Sequence, residues 1–137
     1  MSVIFMHKNF KELFPKYVVL IRVGTFYEAY LDDACIIAYI MSYKLRDGNY
    51  KSCGFPSNSL NRVLSVLDRK TINYLVLDKS HNYEEEVKED YKRKNKYDEI
   101  LTDAKKYIDK IYRIEKIKNH LMLDDSKLVM VEKLLYE

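Results

Sequence analysis

The chain has 137 residues, the length of one domain or of one small domain with a helical appendage, and enough to bury a core without staples. Hydrophobic residues make up 47% and charged residues 33%, which excludes a disordered chain, and no apolar run approaches the roughly 18 residues of a membrane span. The net charge is only +3; the basic excess sits in residues 1–80, compatible with nucleic acid without requiring it. Cys35 and Cys53 are far apart and form no metal or redox motif, so they read as reduced thiols, and the N-terminus lacks a signal-peptide pattern. A cytoplasmic protein is expected.

In chain order, Phe10, Leu13 and Phe14 have helical spacing within residues 7–14, and Pro15 stops that helix. Tyr17-Val18-Val19-Leu20-Ile21 is β-branched and continuous, the pattern of a strand buried on both faces. Gly24 supports a reversal, and Phe26 to Leu31 returns as the second strand of a hairpin. Asp32 and Asp33 suit a helix start, followed by the mostly apolar Ala34 to Met41. Tyr43 to Arg46 and Tyr50 to Cys53 read as short strands around an Asp47-Gly48-Asn49 turn. Ser57, Asn58 or Ser59 caps a helix reaching about Arg69, with Leu60, Val63, Leu64 and Leu67 on one face. Asn73 to Leu77 is a further strand.

After residue 80 the pattern changes. His81 to Lys96 is strongly charged with few apolar anchors. From Tyr97 the positions Ile100, Ala104, Tyr107, Ile111, Ile114, Ile117 and Leu121 step by three and four, a long amphipathic helix. Asp124-Asp125-Ser126 ends it and caps another, with Leu128, Val131, Leu134 and Leu135 apolar. The predicted architecture is α/β: a mixed sheet flanked by helices in residues 1–80, with a helical hairpin extension in residues 81–137. Ile100, Ala104, Ile111, Ile114, Leu128, Val131 and Leu135 are expected to face inward within that hairpin.

Little in the chain carries chemistry. His7, His81 and His120 are dispersed, and three glycines provide no Gly-x-x-x-x-Gly-Lys-Ser/Thr loop, so neither a metal, a cofactor nor an enzymatic activity is expected. The exception is Val23-Gly24-Thr25-Phe26-Tyr27-Glu28, where a turn places two aromatics and a carboxylate at the start of a strand. An aromatic wedge with a hydrogen-bonding carboxylate two residues on suits the reading of a poorly stacked base.

These residues carry a resemblance. The string from Tyr17 to Glu28, followed by Asp32-Asp33-Ala34, resembles the amino-terminal mismatch-recognition domain of the MutS DNA mismatch repair proteins, with their Gly-Asp-Phe-Tyr-Glu turn and Asp-Ala helix start. Downstream, Cys53-Gly54-Phe55-Pro56 and the Leu60 helix resemble the family's Gly-Val-Pro-Tyr-His segment and the helix after it. The likeness covers about residues 8–79. It implies that Phe26 stacks on a mispaired base from the minor groove and that Glu28 hydrogen-bonds to that base. Arg22, Lys44, Arg46 and Lys51, and with them Arg62 and Lys70, are candidate phosphate contacts. Thr25 departs from the family's usual aspartate, and Ser57-Asn58 from its Tyr-His.

The resemblance implies a non-catalytic domain that binds duplex DNA with mismatches or distortions, standing alone without the ATPase. The alternative is a protein-interaction module that keeps the MutS-like fold without DNA binding. A two-helix hairpin leaves one side of its apolar stripe uncovered, so it must dock on the sheet domain or on a second chain; a homodimer through the C-terminal helices is the expectation.

Overall fold

The computed structural model describes residues 2–137. Helix α1 (Val3–Leu13) starts earlier than its apolar spacing announces, because the Ser2 hydroxyl caps it by accepting from the Phe5 N–H at 3.3 Å. It stops at Phe14, ahead of Pro15. Strand β1 (Val18–Val23) turns through Gly24, whose φ of +63° lies in the left-handed region, into β2 (Phe26–Tyr30). Helix α2 (Leu31–Met41) follows with no loop; Leu31, at φ 56°, makes the corner. The short β3 (Arg46–Asp47) and β4 (Lys51–Pro56) pair antiparallel, and a 3-10 turn at Ser57–Ser59 runs into α3 (Leu60–Arg69). Strand β5 (Tyr74–Asp78) is buried throughout.

These strands form one sheet in the order β3-β4-β2-β1-β5-β6, where β6 is Glu84–Glu89. Only β1 and β5 run parallel, joined by the crossover that holds α2 and α3; the other pairs are antiparallel. The mixed sheet flanked by helices is the architecture the sequence implies. β6 was assigned by the sequence to the helical extension. All six of its side chains are exposed, so it has no apolar alternation to announce it; it is held by backbone pairing to β5.

Central β1 is buried on both faces, with Val18 through Ile21 fully enclosed. Cross-strand partners share a face, so Val19, Ile21, Leu75 and Leu77 line one side, where Val3, Phe10 and Phe14 of the α1 region pack on them. The opposite face carries Val18, Leu20, Ala29, Cys53, Phe55 and Val76, and α2 packs along β2 and β4. Helix α1 therefore covers the β1–β5 half of its face and leaves the β2–β4 half open.

Asp33, in the first turn of α2, is buried and ties the layers together. Its buried carboxylate accepts from the Val19 N–H at 3.0 Å, Lys11 Nζ at 3.0 Å and the Tyr97 hydroxyl at 2.6 Å, and lies 3.2 Å from His7 Nε2. Burial alone would raise its pKa, but the His7 hydrogen bond and the Lys11 charge hold it below the ordinary carboxylate value.

The chain divides into two compact units, the first closing at Lys105 and the second being Lys106–Glu137. Helix α4 (Tyr97–Met122) passes from one to the other, and α5 (Asp125–Tyr136) is capped by Asp124, which accepts from the Lys127 N–H at 3.1 Å. The expected inward stripe holds only in part. Ala104 is buried and Ile100, Ile111 and Val131 are half-buried, but Ile114, Leu128 and Leu135 are exposed. The second unit is too thin to enclose its own apolar residues: two helices offer each other one side and leave the rest to solvent.

Candidate nucleic-acid interface

The hairpin sets the site. Val23 pairs with Phe26 and Ile21 with Glu28, so Phe26 and Glu28 project from one face of β2 while Tyr27 projects from the other. Tyr27 is accordingly buried; its ring stacks on Phe55 at 5.9 Å and its hydroxyl donates to Glu86 at 2.9 Å. Phe26 is 46% exposed. It stands at the first position of β2, opposite Pro56, on the half of the sheet that α1 leaves open.

Glu28 is not free. Arg46 Nη2 donates to its Oε2, and the carboxylate side chain is only 14% exposed while the guanidinium side chain is 55% exposed. The hydrogen bond to Glu28 lifts the Arg46 pKa above its ordinary value. Beneath it lies Gly54, the cross-strand partner of Glu28. A Cβ built at Gly54 would come within 2.9 Å of both Glu28 oxygens and of Arg46 Nη2. The absence of a side chain at Gly54 makes the room that this ion pair occupies.

Six of the residues singled out from sequence fall into two groups. Phe26, Glu28 and Arg46 share the open face, and Lys44 adjoins them, lining with Arg46 a groove that also includes Tyr43, Gly54, Pro56 and Arg62. Arg62 donates to the Tyr43 hydroxyl at 2.8 Å across that groove. Arg22 pairs with Tyr27, on the other face, and donates back to the Gly24 carbonyl at 3.3 Å. Lys51 alternates with Ser52, Gly54 and Pro56 and so also lies on the other face. Sequence reasoning missed Gly54 as a constituent of the site; its signal was a glycine at a strand position, which often marks a close approach. Among the described residues no cluster of three or more His, Cys, Asp or Glu is placed to hold a metal ion, and no helix is long and apolar enough to cross a membrane.

An exposed ring and a recessed carboxylate paired with Arg46 share an open sheet face, next to a groove lined by Lys44, Arg46 and Arg62, an arrangement that can press on a stacked polyanion. A family described as MutS domain I matches residues 3–115. The chain belongs to the MutS domain I family. It is 34% identical over 74 residues to the DNA mismatch repair protein MutS of Chlorobaculum parvum, covering 50% of this chain and 8% of that protein. It is 33% identical over 70 residues to the DNA mismatch repair protein MutS of Chlorobium chlorochromatii, again 50% of this chain and 8% of the relative. The DNA mismatch repair protein MutS of Ehrlichia ruminantium (strain Gardel) is 30% identical over 91 residues, 66% of this chain and 11% of its own length. The chain thus spans a small part of the MutS proteins it matches. The domain I match runs past β6 and into α4, so it takes in the whole sheet.

Proposed function

We propose that this MutS domain I chain is a non-catalytic DNA-binding domain that acts in mismatch repair by preferring mismatched or distorted duplex. Phe26 is the wedge and Glu28 the group that meets the unstacked base. The observation that carries the reading is the exposed Phe26 ring on the face that Glu28 shares, while neighbouring Tyr27 and Phe55 are buried. Inserting a ring between base steps costs a few kcal/mol of stacking. A mismatch has already lost part of that stacking, so deformability, not a sequence code, supplies the preference. Lys44 and Arg62 supply the positive charge that phosphates require. Fluorescence anisotropy titrations of matched and mismatched duplexes against the chain and its Phe26→Ala variant test the reading. Phe26→Ala is expected to keep its fold and lose the preference; a variant that keeps the preference would remove Phe26 from the role.

A second reading rests on residues 106–137, where Met122, Leu123, Met130, Leu134 and Leu135 are all more than half exposed. That much apolar surface on two helices calls for a cover. A second copy presents the same face, and isologous pairing covers both at once, giving a homodimer through these helices.

A further inference from the structure

From the geometry around Gly54 we infer that Arg46 is a positioning residue for Glu28, holding its carboxylate in the one place where a base edge can reach it. The inference rests on the reading of Phe26 and Glu28 as wedge and base contact. A bare carboxylate at this position would face the phosphates of an approaching duplex and repel them. Arg46 donates to Glu28 and cancels its charge, leaving the recessed carboxylate as a hydrogen-bond acceptor without a net negative field. The guanidinium belongs to β3, two residues from its turn, and reaches the carboxylate across β4 over the space left by Gly54. Three strands thus fix one acceptor: β2 brings the carboxylate, β3 the cation, and β4 the gap.

Arg46 consequently differs in kind from Lys44 and Arg62. Those cations are available to phosphates on any duplex; Arg46 acts on the mismatch through Glu28. The distinction is measurable as the ratio of mismatched to matched affinity, which a phosphate contact does not change. It also makes Gly54 part of the device. The three atoms that a Cβ would meet are the ends of flexible side chains, and the Gly54 backbone is outside the left-handed region. A methyl group there displaces the ion pair without disturbing the strand.

The experiment measures that ratio at one sequence and one salt concentration for the wild-type chain, Arg46→Met, Glu28→Gln, the double variant and Gly54→Ala, with thermal melts of each. Arg46→Met and Glu28→Gln are expected to lower the ratio by similar factors, roughly five- to tenfold, the size of one ordinary hydrogen bond. The double variant should fall no further than either single one. Gly54→Ala should lower the ratio with an unchanged melting temperature. If Arg46→Met weakens both duplexes equally and keeps the ratio, Arg46 is a phosphate contact and the inference is wrong. A Gly54→Ala variant with the wild-type ratio would overturn the role of the gap. A wild-type chain with no preference at all would overturn the proposed function, and this inference with it.

Discussion

Phe26 and Tyr27 are adjacent aromatics with opposite fates, and the alternation of a strand is the reason. Tyr27 turns into the core and Phe26 out of it. The consequence for stability is unequal: Phe26→Ala should cost about 1 kcal/mol or less, since only part of the ring leaves water, whereas Phe55→Ala should cost about 3–5 kcal/mol by opening a cavity beneath β4. Denaturant unfolding of the two variants checks the contrast. This much was legible in the sequence, because Gly24 fixes where the hairpin turns and period two does the rest. The pairing of Arg46 with Glu28 was not: eighteen residues separate them, and only the register of β2, β3 and β4 brings them together. Asp33 stands in the first turn of α2 as its sequence position implies, but its partners were not legible for a similar reason. Its place beside Asp32 at a helix start suits capping, while its partners His7, Lys11 and Tyr97 come from two other helices. Because the folded state holds its pKa below the unfolded value of about 3.9, the carboxylate stabilises the fold above that pH, and the contribution is lost as pH falls through the lower folded value. Asp33→Ala should cost about 3–5 kcal/mol near neutral pH, since it strands Lys11 and the Val19 N–H. Melting curves between pH 3 and pH 7 should show the wild-type advantage shrinking in acid.

At the scale of elements, the joints hold the strain. Helix α2 is entered through Leu31 and left through Ser42, both at φ 56°. Ser42 is an exposed C-cap in the left-handed conformation that glycine adopts without cost. Ser42→Gly should therefore stabilise the chain by about 1 kcal/mol, seen as a rise in melting temperature; a fall would mean that the serine side chain contributes more than its backbone strain costs. Helix α3 and the β1–β2 hairpin announce themselves through periodicity, as does α5 through its Asp124 cap. Strand β6 does not. Its run of glutamates pairs with β5 through backbone groups alone, apart from Val76 opposite Val87, and a bulge between Val76 and Leu77 leaves Glu86 to meet the Tyr27 hydroxyl. A charged edge strand resists pairing with other chains and for the same reason carries no hydrophobic signal.

Across the whole molecule, charge is divided by the sheet. Lys44, Arg46 and Arg62 line one groove at the β3–β4 end, and Glu84, Glu85, Glu86 and Glu89, with Lys88 among them, occupy β6 at the far end. A net charge of +3 hides this polarity; on the proposed reading it favours approach of a duplex to the β3–β4 end over approach to β6. Affinity should accordingly fall as salt rises, and Lys44→Ala with Arg62→Ala should flatten that dependence for matched and mismatched duplexes alike. The second unit gives a separate expectation. If its exposed apolar residues are covered by a second copy, sedimentation should show a dimer that Leu134→Glu with Leu135→Glu converts to monomers; a wild-type chain that sediments as a monomer at every concentration would contradict the pairing.

On the proposed reading, this domain I surface responds to distortion of the duplex and not to its sequence. The most direct test is the binding of the wild-type chain to two duplexes of one sequence that differ in a single mispair, titrated at one low salt concentration. Tighter binding to the mispaired duplex is expected, with the gap between the two closing in Phe26→Ala. Equal affinity for the two duplexes, with Phe26 exposed as it is, would contradict it.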